Sequence, residues 1–386
     1  MTIETTAIRA RDLGLPFPGT TGPFNAITDI PDTAVGLKTI VEQAPRIGRD
    51  RLVRTGVTAI LPRASAPAPS PIWAGIHRFN GNGEMTGSHW IEDGGYFVGP
   101  ILLTNTHAVG MAHHSAVKWM LRRYPETYGR GDPLWLMPVV AETYDGLLND
   151  INGLPIGEAD VFEALDTAAT GPIAEGNTGG GTGMIAYEFK GGTGTASRLV
   201  DVGGRIFTVG VLVQANFGIR DWLTILGAPV GKHLTQNRLF HDRGERGSII
   251  VVIGTDLPLA PHQLTRIARR GGLGIGRTGT MGGNGSGDIF LAFSVANKTT
   301  LPHTAGAFVS MEIVNDERLD PVYEAVVQSV EEAVVNAMVA ATSMGGTAWD
   351  GALVSAIDHA ALIDIVGRNH ALHRTSGVGR STTGPI

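Results

Sequence analysis

Between Gly244 and Asp256 the chain reads Gly-Glu-Arg-Gly-Ser-Ile-Ile-Val-Val-Ile-Gly-Thr-Asp, a charged stretch that stops at Gly247 and gives way to five consecutive apolar residues. A β-branched run bounded by turn residues predicts a buried strand, with Ser248 at its mouth. The same reasoning predicts strands over 53–62, 72–79, 138–144, 205–215, 288–296 and 309–314. Apolar residues at helical spacing (Met111, Ala112, Val117, Met120 and Leu121) predict a helix over 105–123, and similar spacing predicts helices over 159–169, 321–344 and 355–366. A further helix is expected to start on Pro261 and to stop, after a run of basic residues, at Gly271. Residues 8–36, rich in turn formers, predict an ordered surface path. Residues 171–194 read as a Gly/Thr-rich loop interrupted at 184–189, and 374–386 as a mobile tail. Strands dominate the middle of the pattern, which predicts one domain of mixed α/β layers with helices outside stacked sheets.

Composition narrows the function. A chain of 386 residues with 42% hydrophobic and 17% charged residues can bury a substantial core. A formal charge of −6 argues against a nucleic-acid or anionic-membrane surface. The absence of cysteine removes disulfides, thiol nucleophiles and cysteine-ligated metals. Residues 1–11 lack a basic-then-apolar leader pattern and no apolar run approaches the ~20 residues of a membrane span, so a cytoplasmic location is expected. Glycine is abundant, 54 residues, about twice the usual ~7% share. Those glycines gather in patches, which implies tight turns and close backbone approaches at particular places.

Three conventional chemistries fit poorly. Gly274-Ile-Gly-Arg-Thr-Gly279 matches a dinucleotide glycine pattern but follows a predicted helix rather than a strand. His107, His113 and His114 have no carboxylate completing a metal set. Ser286, in Gly-Asn-Gly-Ser-Gly, lacks the strand-to-helix setting of a nucleophile elbow. Neither cofactor nor metal is expected. Two Gly-Ser bonds remain, Gly247-Ser248 and Gly285-Ser286, and each by itself reads as an ordinary turn entering a strand.

Several motifs in one order go further. Arg9-Ala-Arg-Asp-Leu-Gly, Gly22-Pro-Phe-Asn-Ala-Ile-Thr-Asp, Glu142-Thr-Tyr-Asp-Gly, Val213-Gln-Ala-Asn-Phe-Gly, Gly247-Ser-Ile-Ile-Val-Val-Ile-Gly-Thr-Asp, Pro261-His-Gln-Leu and Asn284-Gly-Ser-Gly-Asp-Ile-Phe together resemble the DmpA family. That family comprises L-aminopeptidase D-Ala-esterase/amidases and β-peptidyl aminopeptidases, and the resemblance runs from about residue 8 to 370. It implies a four-layer α/β/β/α sandwich similar to N-terminal-nucleophile hydrolases but differently connected. It also implies self-cleavage at Gly247-Ser248 into chains 1–247 and 248–386, and a homo-oligomer of αβ units, with a tetramer suspected. Substrates would be small peptides, amides or esters with a free amine.

By the same resemblance Ser248 is the nucleophile and Asn216 the oxyanion donor. Ser286 and Asp288 support the nucleophile, although some relatives carry Glu where this chain has Asp288. Tyr144 sits on the oxyanion or leaving-group side, Glu142 holds the substrate ammonium, and Trp135 walls the pocket. The chemistry suits an N-terminal serine. An α-amine titrates near 7.7–8.0, so it can take the proton of its own hydroxyl without a histidine. Two alternatives stay open: a cut at Gly285-Ser286, and an uncut, non-catalytic protein that binds small molecules or peptides on the same fold. The self-processing acyltransferases of arginine biosynthesis use threonine, and no Thr stands at this junction.

Overall fold

The computed structural model describes residues 8–128, 135–240, 244–245, 247–346, 351 and 353–376. Two sheets carry the architecture. The smaller takes β1 (Ala34–Val41), β2 (Arg54–Leu61), β5 (Ile101–Asn105) and β6 (Val139–Thr143), in the order β1-β2-β5-β6. Six strands form the larger, in the order β4-β3-β12-β11-β10-β9. These are β3 (Ile72–Arg78), β4 (Tyr96–Phe97), β9 (Gly192–Val202), β10 (Arg205–Asn216), β11 (Gly247–Thr255) and β12 (Ser286–Ser294). A short hairpin, β7 (Ile185–Ala186) and β8 (Phe189–Lys190), precedes β9.

The longer helices are α2 (Val109–Arg123), α4 (Glu158–Asp166), α6 (Pro261–Arg277), α7 (Asp320–Val339) and α8 (His359–Ser376). Short ones are α1 (Ser88–Gly94), α3 (Pro125–Tyr128) and α5 (Val230–His233). Within the two sheets only β5–β6 and β11–β12 run parallel, and each pair is bridged by a helix, α2 and α6 respectively. Parallel neighbours need such a crossover.

The layers follow from alternation along the strands. In β11, Ile249, Val251 and Ile253 pack with Val326 and Val330 of α7, while Ile250 and Val252 meet Ile101, Leu103 and Ala141 of the other sheet. A strand with apolar cover on both faces reads as an unbroken apolar run, the pattern the sequence shows. Helices α2 and α4 cover the outer face of the four-stranded sheet, and α6 and α7 that of the six-stranded one. The arrangement is the expected α/β/β/α sandwich.

Several elements depart from expectation. Helix α6 does not stop at Gly271 but runs on through Gly272, Gly274 and Gly276 to Arg277. A side chain at Gly271 would lie 2.3 Å from Phe290, and one at Gly274 2.5 Å from Val330. The glycines let the helix lie close against β12 and α7; they do not end it. The nucleotide-like pattern therefore sits inside a helix. Residues 309–314 form no strand, and Val309 and Ile313 are exposed; no neighbouring edge pairs with them. Residues 8–36 are anchored more deeply than a surface path. Ala10, Leu15 and Phe17 are buried, Arg9 pairs with Glu175 and Arg11 with Glu332, and β1 begins within the stretch. The 171–194 loop gives way at Ile185 to the hairpin and at Gly192 to β9. Helix α8 starts later than expected and reaches Ser376, and the rest of the expected tail lies outside the described residues.

Candidate active site

Three strand ends meet at one edge of the six-stranded sheet. Asn216, last in β10, pairs with Ser248 in the antiparallel β10–β11 ladder, and Ser248 pairs with Gly287 in the parallel β11–β12 ladder. The register places together residues 32 to 39 positions apart in sequence. Ser248 shares the alternation of Ile250 and Val252, so its side chain points between the sheets.

Around Ser248 the backbone is tightly constrained. Its hydroxyl donates to the Gly247 carbonyl oxygen at 2.6 Å and accepts the Gly287 N–H at 3.3 Å. Gly247 has φ +129°, and a side chain there would come within 1.9 Å of the Asn216 carbonyl oxygen. Only glycine fits. At Gly287 a side chain would meet the Asn82 carbonyl at 2.1 Å and Ser248 Oγ at 3.0 Å. The nucleophile candidate thus lies against the carbonyl of the peptide bond that precedes it.

The amide of Asn216 is held at both ends. Its Oδ1 accepts the Ile185 N–H at 2.8 Å, and its Nδ2 donates to the Tyr144 carbonyl at 3.0 Å, leaving one N–H free of a protein partner. Tyr144, Leu147, Ile185, Asn216, Phe240 and Gly247 line a cavity of about 160 Å³. That space suits a small side chain.

Glu142 is buried near the end of β6, where its carboxylate accepts the Glu84 N–H at 2.9 Å and the Thr106 hydroxyl. Burial pushes its pKa up, and those two donors favour the charged form against that effect. The space a Gly83 side chain would take touches both Glu142 Oε1 (3.2 Å) and Gly287 Cα (3.8 Å), so Glu142 lies one side chain's width from the Ser248 edge.

Ser286 and Asp288 share the alternation of Phe290, which packs toward the helices, and so occupy the opposite sheet face from Ser248 Oγ. The Ser286 hydroxyl donates to Asp288 Oδ1 at 2.6 Å, and Asp288 Oδ2 is buried without a hydrogen-bond partner. Burial pushes the Asp288 pKa up to about 6 against the opposing effect of the Ser286 hydrogen bond, with Glu245 adding repulsion. In register Ser286 pairs with Gly247 and Asp288 with Ile249, the residues on either side of Ser248.

Trp135 does not join these residues. Its ring meets Trp90 and His303 edge-on, and it stands seven positions before Glu142 on an extended segment, on the order of 20 Å away. Within one chain this aromatic belongs to a cluster with Trp90 and His303, apart from the cavity beside Ser248.

Other residues escaped the sequence reading. Glu245, three positions before Ser248, accepts the Gly218 N–H (2.9 Å), the Gly283 N–H (2.6 Å) and the Thr280 hydroxyl (3.2 Å), tying three loops around the site. Asn80 and Asn82 donate to carbonyls of the 282–285 loop and pin the Gly83–Glu84 segment beside Gly287. The charged residue before a Gly-Ser junction was a visible signal for Glu245. Nothing in the sequence marks the backbone groups of Ile185 and Gly287. Among the described residues no three His, Asp or Glu side chains gather as a metal set.

A model described as Peptidase family S58 matches residues 25–350. Beta-peptidyl aminopeptidase BapA of Sphingosinicella microcystinivorans is 46% identical over 369 residues, covering 92% of this chain and 90% of that protein. The structure of L-aminopeptidase D-Ala-esterase/amidase from Ochrobactrum anthropi, described as a prototype for the serine aminopeptidases and a new variant among the Ntn hydrolase fold, superposes with a TM-score of 0.90. It shows 63% identity, covering 94% of this chain and 99% of that one. A Burkholderia sp. beta-aminopeptidase gives a TM-score of 0.84 at 44% identity over 94% and 99% of the two chains.

Proposed function

The chain belongs to peptidase family S58 and is a hydrolase of the aminopeptidase and amidase kind, and we propose that it works through Ser248 after cutting itself at Gly247-Ser248. The observation that carries this reading is the 2.6 Å hydrogen bond from Ser248 Oγ to the carbonyl of Gly247, in a backbone conformation that favours glycine. In the first reaction Oγ bonds to the Gly247 carbonyl carbon, and the carbon–nitrogen bond breaks. The hydroxyl proton passes to the departing nitrogen, which becomes the α-amine of Ser248. Water then hydrolyses the ester, leaving chains 1–247 and 248–386 within one folded domain.

In turnover the new amine accepts the Ser248 proton as Oγ attacks a substrate carbonyl, the leaving amine or alcohol takes that proton, and water releases the acyl group. The free N–H of Asn216 supplies an oxyanion donor, an interaction worth roughly 3–4 kcal/mol in the transition state. Ser286 and Asp288 support the catalytic amine, a role favoured by their register partners, Gly247 and Ile249, which flank Ser248. Glu142 receives the substrate ammonium, which makes the reaction an aminopeptidase's. Tyr144 lines the acyl pocket. Substrates are small peptides, amides or esters whose first residue fits the cavity, such as L-alanine, D-alanine or a β-amino acid. The same proposal places the enzyme in the cytoplasm as a homo-oligomer of αβ units, a tetramer, and the exposure of Phe308, Val309 and Ile313 supports an assembly that covers them.

Alanine and β-alanine amides, each with its N-acetyl derivative, test the reading. Turnover of the free amines with at least ~100-fold slower turnover of the acetylated forms is expected, because an uncharged amide leaves buried Glu142 without its partner. Equal rates on both series would refute the role of Glu142, and no turnover of either would refute the activity.

A further inference from the structure

Lys190 is fully buried at the end of β8, and its ammonium donates to three backbone carbonyls: Met184 at 2.7 Å, Gly191 at 2.9 Å and Gly181 at 3.2 Å. Three donors meet three acceptors, the full capacity of the group. Burial alone pushes its pKa down to about 7. A buried ammonium held by carbonyl oxygens alone is costly, so its place needs a reason.

That reason lies one residue from the cage. The Met184 carbonyl also accepts the Gly191 N–H at 2.9 Å, which closes the turn around the ammonium. The next residue, Ile185, donates its N–H to Asn216 Oδ1. The two ends of an amide are nearly equal in size, so only hydrogen bonds decide which end faces a reacting carbonyl. A reversed Asn216 would present an oxygen to a developing oxyanion and repel it. We propose that Lys190 is a positioning residue for the oxyanion donor: its ammonium gathers the carbonyls of Gly181, Met184 and Gly191 into the turn that presents the Ile185 N–H to Asn216, and so fixes the direction of the Asn216 amide. The proposal rests on Asn216 acting as that donor. An apolar residue of similar length would fill the space, leave the buried Gly191 carbonyl without its donor and strip the carbonyls of Met184 and Gly181 of their second one, which loosens the turn.

A double-mutant cycle with Lys190→Met and Asn216→Ala, read as self-cleavage rate by intact mass and as kcat and KM on alanine amides, tests it. Lys190→Met alone is expected to slow both reactions by about 10-fold, below the ~100-fold that a 1 Å misplacement can cost, with KM changed less than about twofold. In the Asn216→Ala background it is expected to add less than about twofold. Equal losses in both backgrounds, or a loss confined to KM or to thermal stability, would overturn the proposal. If Lys190→Met does not fold, Lys190→Gln, which keeps an amide donor, takes its place in the cycle. Failure of that variant too would make the ammonium purely structural and overturn the proposal. A parent chain without turnover, or Asn216→Ala as fast as the parent, would instead refute the reading of Asn216 and the Lys190 proposal with it.

Discussion

Asn216 and Ser248 sit directly opposite one another in the β10–β11 ladder, and the glycine before Ser248 turns against the Asn216 carbonyl. An antiparallel register thus sets the proposed oxyanion donor beside the proposed nucleophile, 32 positions apart in the chain. Asn216→Ala is expected to lower kcat by about 100-fold or more. It also orphans the Ile185 N–H and the Tyr144 carbonyl, which costs about 1–3 kcal/mol of stability. Steady-state kinetics beside thermal unfolding separate the two effects.

Gly247→Ala tests the strained junction. A methyl group there meets the Asn216 carbonyl and demands a positive φ from alanine, a penalty of about 1–3 kcal/mol. The chain is expected to remain largely uncut over hours in which the parent is processed, as seen on a denaturing gel. Parent-like cleavage would show that the junction geometry is irrelevant to the cut.

Glu142 should give the enzyme an acid limb. Its folded pKa is raised by burial, so it loses charge at a higher pH than an exposed glutamate does. As pH falls, KM for amine substrates is expected to rise through that raised pKa while kcat changes less. Glu142→Gln should show the high KM at every pH and lose the limb. The measurement is KM against pH for both proteins.

Asp288 carries a stability signature with a definite sign. Its folded pKa, about 6, lies above the 3.8 of a free aspartate, so folding is favoured while the carboxyl is protonated. That contribution is full below about pH 3.8 and is lost as pH rises through about 6. Asp288→Asn keeps an acceptor for Ser286 and removes the buried charge. In an uncut Ser248→Ala background it is expected to raise the urea midpoint at pH 7.5 and to leave it unchanged near pH 4. A lower midpoint at pH 7.5 would contradict this.

Much of the fold was legible because burial writes itself into the chain. The run from Ile249 to Ile253 is apolar at every position since both faces of β11 are covered, and Ser248 stood out at its mouth. Where glycine serves packing rather than turning, the reading failed. Helix α6 passes through Gly271 and Gly274 because Phe290 and Val330 occupy the space of their side chains, partners that no local pattern reveals. Residues 309–314 show the converse: local strand character without a neighbouring edge gives no strand. The candidate site divides the same way. Motifs pointed to Asn216, Glu142, Ser286 and Asp288, but the backbone N–H groups of Ile185 and Gly287 and the side chain of Asn82 act through register and loop placement, which are long-range properties. Motif order carries no distance, so it could not show that Trp135 packs with Trp90 and His303.

The most direct test of the central claim is the intact mass of the freshly purified chain and of its Ser248→Ala variant. Two masses corresponding to residues 1–247 and 248–386 are predicted for the parent, and a single uncut, inactive chain for the variant. An active parent that remains one 386-residue chain, or one divided between Gly285 and Ser286, would contradict the account.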